Sequence, residues 1–265
     1  MGRWRSGLGK VVKHVLARQG FALVRPDHQF GLDPWADVGK LSRAWSRPIT
    51  TLFDVGANDG ETAIAMLRQF PAATVTSFEP HPATFAELLA EVGDAPRFTA
   101  VNAALGADIG EVAMFEYEGV SKINSLTPDA PFAVRFDRKG RQISVKCTTL
   151  DTYCAENGVD RIDVLKIDTE GFDHAVLQGS AGMLKRQAIG FISVEFNDLQ
   201  PKSGTTGGAL VPIDQLLRPH GYRFVAAYND SIATAGEMFA VSNALFALPP
   251  NATSARAPQN SDVTE

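Results

Sequence analysis

The chain has 265 residues with 45% hydrophobic and 21% charged content, which suits one large soluble domain with extensions. The net charge of −5 is unevenly spread: Met1–Pro26 holds six Lys/Arg and no acid, leaving 19 basic against 30 acidic residues in the remainder. An acidic body argues against a nucleic-acid enzyme, whose phosphate contacts need a basic face; no run reaches ~18 apolar residues, which excludes a transmembrane helix.

The N-terminal stretch 8–24 puts Leu8, Val11, Val12, Val15 and Leu16 at helical spacing, with Lys10, Lys13 and Arg18 elsewhere. Charge interrupts any signal-peptide core, so a cytoplasmic protein is expected. This basic amphipathic stretch could touch an anionic membrane peripherally or dock on the body or a partner; its short apolar face favours docking. A helix over Pro34–Trp45 follows, and residues 1–48 form a preamble to the domain at 49–248.

From Ile49 strands and helices alternate. The run TLFDVGANDG (51–60) reads as a strand and a glycine turn, and ETAIAMLRQF as the helix after it. Glycine at such a turn lets backbone approach a ligand where a Cβ would collide. Thr74–Phe78 is a strand ending on Glu79, Pro82–Val92 a helix, and Arg97–Val101 a strand ending on Asn102. Between Gly110 and Lys146 a β-rich insertion is expected, then a helix at Leu150–Glu156. Ile162–Ile167 is a strand ending on Asp168, Phe172–Leu184 one helix, and Ile189–Val194 a strand ending on Glu195. Ile213–His220 is helical, Tyr222–Ala227 a strand, and Glu237–Leu248 holds the last strand. The tail 249–265 has almost no apolar residues and reads as disordered. Cys147 and Cys154 lack metal-type spacing and read as free thiols of a reducing compartment. The β-α alternation predicts an α/β fold, a mostly parallel sheet with helices on both faces.

In such a sheet ligands bind beyond the carboxyl ends of the strands. Five strands end there in a polar residue: Asp54, Glu79, Asn102, Asp168 and Glu195. So many acids on one rim predict a cationic or hydroxyl-rich ligand. Glu79 lies 25 residues after Asp54, where a carboxylate can accept from both ribose hydroxyls of an adenosine cofactor. A dinucleotide turn wants G-x-G-x-x-G, so that backbone can close on pyrophosphate. Here the spacing is G-x-x-x-G, and Asp54, Asp59 and Glu61 surround it with negative charge. That is hostile to pyrophosphate and favourable to a sulfonium and an α-ammonium, so the expected cofactor is S-adenosylmethionine.

Taken together, Asp54-Val55-Gly56-Ala57-Asn58-Asp59-Gly60, Phe78-Glu79-Pro80, Leu150-Asp151-Thr152-Tyr153 and Leu165-Lys166-Ile167-Asp168-Thr169-Glu170-Gly171 resemble the FkbM family of class I methyltransferases. Ser121–Leu126 and Asn243-Ala244-Leu245-Phe246 extend the resemblance over roughly Thr51 to Leu248. It implies a Rossmann-like, seven-stranded sheet with the last strand antiparallel. It also implies S-adenosylmethionine as donor and O-methylation of a hydroxyl on a sugar, glycan or secondary metabolite. Gly56, Ala57, Asn58, Gly60 and Pro80 join Asp54, Glu79, Asn102 and Asp168 as expected cofactor contacts.

Methyl transfer to an alcohol needs alignment of three atoms and removal of a proton. The candidates are Asp168, Glu170, His174 and Glu195, with Asp168 and Glu195 placed near the acceptor and His174 as a base. Asp168 and Glu170 share parity and point to one side if extended geometry continues through Thr169. A divalent ion on Asp168, Glu170 and Glu195 suits hard oxygen ligands, but carboxylates that only orient the acceptor are the reading preferred, with no metal. His81 reads as a residue at a helix start, close to the cofactor. Ser121, Lys122, Asn124 and Ser125 could read acceptor hydroxyls, the basic group Arg135, Arg138, Lys139 and Arg141 reads as a solvated loop, and Asn197–Leu210 could form a lid. Two other readings compete: a nicotinamide oxidoreductase, disfavoured by the turn spacing, and a non-catalytic scaffold tethered by its N-terminus.

Overall fold

The computed structural model describes residues 14, 15, 18, 29–117, 124–126, 140–197, 209–233 and 239–250. Most of residues 8–24, Ser121-Lys122-Ile123, Arg135–Lys139, most of Asn197–Leu210 and residues 251–265 lie outside them. Among the described residues no helix is long and apolar enough to cross a membrane.

The chain opens with α1 (Pro34–Ala44), started by Asp33, whose carboxylate accepts from the N–H groups of Trp35 and Ala36, with Pro34 at the first helical position. Then come β1 (Thr51–Val55), α2 (Glu61–Gln69), β2 (Thr74–Phe78), α3 (Pro82–Val92) and β3 (Phe98–Val101). A small sheet follows, from β4 (Ala104–Leu105), β5 (Gly110–Glu116) and β6 (Arg141–Thr148), in the order β4-β6-β5. After α4 (Leu150–Glu156) the main sheet resumes with β7 (Ile162–Ile167). Two short helices, α5 (Asp173–Gln178) and α6 (Ala181–Lys185), lead to β8 (Ile189–Asn197). Helix α7 (Leu210–Leu217) and a 3₁₀ turn, Arg218–His220, precede β9 (Arg223–Ala233) and β10 (Phe239–Ala247).

The seven-stranded sheet has the order β3-β2-β1-β7-β8-β10-β9. Strands β3, β2, β1, β7 and β8 run parallel, and β10 pairs antiparallel with both β8 and β9. The fold is the expected Rossmann-like α/β sheet, seven-stranded and mostly parallel, with a β insertion.

Because side chains alternate across a strand, the sheet has two separate faces. Phe53, Val55, Phe78, Leu165, Ile167, Ile192 and Val194 bury one face against α4, α5, α6 and α7. At its centre Tyr153 of α4 meets the ring of Phe78 at 4.8 Å and of Phe53 at 5.7 Å. Leu52, Val75, Val164, Phe191 and Leu245 bury the other face against α1 and α2. Burying one such side chain stabilises the fold by ~1.5–3 kcal/mol.

The single helix expected over Phe172–Leu184 is two. At Gly179 the chain passes the Gly106 carbonyl so closely that a Cβ would sit 1.9 Å from its oxygen. A new helix then begins, its first N–H groups taken by Asp151, which accepts from Gly182 at 2.6 Å and Met183 at 2.8 Å. The strands after Glu195 and Ala227 run on further than the apolar runs suggest, because β8, β9 and β10 extend one another's hydrogen-bond ladder.

Candidate active site

Residues paired across neighbouring strands share a face. On the face beneath α1 and α2, the register therefore aligns Ser77, Asp54, Lys166 and Ser193 across four strands. All four are buried. One pleat further toward the carboxyl ends come Glu79, Gly56, Asp168 and Glu195, with Asn243 opposite Glu195. The face that is apolar at its amino end thus turns polar where the strands finish. A cavity of about 580 Å³ opens over that polar row, within the ~300–1,000 Å³ usual for small-molecule sites.

One end of the cavity is the turn after β1 and the end of β2. The N–H groups of Gly56 and Ala57 both donate to the Phe78 carbonyl at 3.0 Å, hooking the two strand ends together. Glu79 is 5% exposed. One of its oxygens accepts from the Asn58 N–H at 3.0 Å and the other from the His81 N–H at 2.9 Å. Each carboxylate oxygen keeps a second lone pair for a ligand hydroxyl. Burial pushes the Glu79 carboxyl up, opposed by those two N–H groups. His81 caps α3 through Nδ1, which accepts from Thr84 N–H.

Two turn glycines have a different task from the one expected. Gly56 has φ +77°, and a Cβ there would lie 1.8 Å from the Asp168 carbonyl oxygen. A Cβ on Gly60 would meet Val92 and Leu88 within 2.8 Å. The close approach is of chain to chain; Gly56 still lines the cavity, and Gly60 does not.

At the other end Asp168, Glu170 and Glu195 each offer an oxygen within 4.8 Å of the others. The extended geometry through Thr169 that would put Asp168 and Glu170 on one side is not what the chain adopts. Glu170 is left-handed at φ +53° and Gly171 at φ +99°, a conformation that costs a non-glycine residue ~1–2 kcal/mol. The turn is held from two sides. Asp173 accepts from the N–H groups of Thr169 and Gly171 at 3.2 Å, and the Ser125 hydroxyl donates to the Glu170 carbonyl at 2.7 Å. Ser125 is therefore a strut under the turn, while Asn124 lines the cavity. Burial, then the charges of Asp168 and its acidic neighbours, raise the carboxyls of Glu170 and Glu195 well above the ordinary range. Burial and Asp168 push Asp173 up to about 6.

Four expected site residues lie outside the cavity lining: Asp54, Gly60, Asn102 and His174. Asp54 is fully buried beneath it and faces Lys166, Oδ1 to Nζ, at 3.1 Å. Burial raises its carboxyl, against the pull of that ammonium. Asn102 donates from Nδ2 to the carbonyls of Glu79 at 2.9 Å and Pro80 at 3.1 Å. His174 follows Asp173 at the start of α5; with Asp173 turned inward to the 168–171 turn, the next residue is rotated about 100° away. Gly56, Ala57, Asn58, Glu79, Pro80, Asp168, Glu170 and Glu195 do line the cavity.

Sequence reasoning left out Lys166. Its ammonium lies among the acids, 3.6 Å from Asp168 Oδ2, and donates to the Gly56 carbonyl at 2.9 Å. Burial alone would favour the neutral amine, but Asp54 and Asp168 hold the ammonium above the ordinary lysine range.

A family model described as the methyltransferase FkbM domain matches residues 54–224. The 2-O-methyltransferase NoeI of Sinorhizobium fredii (strain NBRC 101917 / NGR234) is 26% identical over 169 residues, spanning 60% of this chain and 68% of that protein. The 31-O-demethyl-FK506 methyltransferase FkbM of Streptomyces tacrolimicus is 28% identical over 203 residues, spanning 68% of this chain and 75% of that protein. Among solved structures, methyltransferase FkbM from Methylobacillus flagellatus KT superposes with a TM-score of 0.45 at 12% identity, over 89% of this chain and 60% of that one.

Proposed function

The chain belongs to the FkbM methyltransferase family, and we propose that it is an S-adenosylmethionine-dependent O-methyltransferase acting on a hydroxyl of a sugar, glycan or secondary metabolite. One observation carries this reading: a single cavity joins a buried carboxylate with free lone pairs, Glu79, to a cluster of acids at Asp168, Glu170 and Glu195. The names of the two relatives, both O-methyltransferases by position, support the choice of oxygen.

The bound donor supplies a methyl group on a positively charged sulfur. Glu79 accepts from the two ribose hydroxyls, pre-aimed by Asn58 and His81. The Gly56–Asn58 turn would hold the donor, and Asp59 and Glu61, which also line the cavity, would attract its α-ammonium. At the far end Asp168 accepts from the acceptor hydroxyl and fixes its direction. Glu195, whose carboxylate lies within reach of Asp168, takes the proton as the oxygen becomes a nucleophile. Orientation supplies much of the acceleration, up to ~7–11 kcal/mol in well-aligned systems. A divalent cation on the three carboxylates is the variant of this reading that chelation tests.

The experiment is a melting curve with S-adenosylhomocysteine or NAD, followed by a screen of hydroxyl-bearing acceptors with labelled donor, read by product mass, with and without EDTA. Stabilisation by S-adenosylhomocysteine alone, and a product heavier by one CH2 (a methyl in place of the hydroxyl hydrogen), are expected. Stabilisation by NAD alone would overturn the reading in favour of hydride chemistry.

A further inference from the structure

We propose that Lys166 is a positioning residue that ties the donor turn at Gly56 to the acceptor-side carboxylate of Asp168 and sets the charge the donor meets. The inference rests on the donor assignment above. Lys166 is the only Lys or Arg among the described residues that line the cavity, and its side chain is 8% exposed. Its Nζ donates to the Gly56 carbonyl at 2.9 Å, lies 3.1 Å from Asp54 Oδ1, and lies 3.6 Å from Asp168 Oδ2. An ammonium has three protons, and here three groups on two strands' ends face it. Asp54 sits below it, fully buried, and Ser77 donates to the other Asp54 oxygen at 3.4 Å.

This arrangement has two separable consequences. The first is mechanical: the Gly56 carbonyl and Asp168 are held by one atom, so the loop beneath the donor and the carboxylate beside the acceptor cannot drift independently. The second is electrostatic. A fixed positive charge under the donor subsite opposes a sulfonium but not the neutral thioether left after methyl transfer. Losing the ammonium therefore loosens the subsite for donor and product alike, while its missing charge compensates only the cationic donor. A residue that merely supported the fold would move both affinities by the same factor.

The test uses S-adenosylmethionine and S-adenosylhomocysteine as probes, titrated calorimetrically into the full chain. In Lys166→Met the dissociation constant for S-adenosylhomocysteine rises ~10-fold, the worth of a charge-assisted hydrogen bond. S-adenosylmethionine weakens less, so preference for it over the product grows about threefold to tenfold. The single variant leaves Asp54 buried without its counter-charge and could unfold, which circular dichroism reads. The double variant Asp54→Asn/Lys166→Met removes both charges and restores local neutrality. In it both ligands still bind ~10-fold more weakly, because the Gly56 tie is gone, but their ratio returns to the wild-type value. An unchanged ratio in the folded single variant, or wild-type affinities in the double variant, overturns the proposal alone. If the wild-type chain binds neither probe, the donor assignment falls and this inference with it.

Discussion

The two ends of the cavity hold carboxylates by opposite means. Glu79 is anchored through both oxygens by backbone N–H groups, and its own carbonyl is held by Asn102. Its supports all come from strand ends and turns within residues 54–102, assembled by two consecutive βαβ units. Asp168, Glu170 and Glu195 come from two strand ends and a left-handed turn, crowd within 4.8 Å, and face one ammonium. The first end fixes its carboxylate by backbone alone, which suits recognition of an unvarying group such as a ribose. The second crowds three carboxyls around one ammonium, which suits a site where a proton must leave. The proposed function thus divides binding and chemistry along the cavity.

That division predicts which variants lose turnover and which lose affinity. Glu195→Gln keeps the shape of the acid end but removes the proposed proton acceptor. With the acceptor identified by the screen, kcat falls ~10²–10⁴-fold while the dissociation constant for S-adenosylhomocysteine stays within about threefold of wild type, the scatter expected at a distance from the change. Glu79→Ala does the reverse: affinity for S-adenosylhomocysteine falls ~100-fold, from two hydrogen bonds to a charged group, and saturating turnover changes little. If Glu195→Gln weakened binding as much as Glu79→Ala, the two ends would not be separate.

A smaller effect follows from the protons held beside the acid end. Asp173 is fully buried, and its carboxyl is pushed up to about 6, against ~3.9 in an unfolded chain. Between those values the folded state keeps a proton that the unfolded state has released. The stability linked to it is complete below pH ~4 and is lost as pH rises through about 6. Urea unfolding from pH 4.5 to 7 should show wild type losing ~2 kcal/mol relative to Asp173→Asn over that window. A constant difference would mean that Asp173 ionises as it does in the unfolded chain.

Some of this was legible in the chain because apolar runs stop abruptly on acids: Phe53 before Asp54, Phe78 before Glu79, Ile167 before Asp168, Val194 before Glu195. Strand ends placed Glu79, Asp168 and Glu195 on one rim without any knowledge of packing, whereas β1 runs on through Val55 and leaves Asp54 buried one pleat below it. What stayed hidden depended on neighbours in space. Lys166 looks like a polar interruption in an apolar strand until the register sets it beside Asp54 and Ser193. Gly56 reads as room for a ligand, yet the atom it makes room for is the Asp168 carbonyl oxygen, 112 residues on. The parity of Asp168 and Glu170 suggested one extended stretch, whereas the chain reverses into a left-handed turn, and Ser125 from the distant insertion braces it. Residue periodicity reports a strand's faces but not which strand lies next to it.

The gentlest test of the division concerns Asn102, which touches the carbonyls of Glu79 and Pro80 and does not line the cavity. Its amide crosses from the end of β3 to the end of β2, so it fixes the backbone from which the Glu79 side chain is aimed. Asn102→Ala leaves the two N–H anchors on the carboxylate in place but removes the clamp behind it. One net hydrogen bond between neutral groups is worth ~0.5–1.5 kcal/mol, or about twofold to tenfold in affinity. The expected outcome is a loss of S-adenosylhomocysteine affinity in that range, with the pH dependence of turnover unmoved. Asn102→Asp would place a carboxylate against two carbonyl oxygens and weaken binding further. If instead the pH profile shifted while affinity held, Asn102 would be acting on the acid end, and the separation of recognition from proton transfer along the cavity would have to be redrawn.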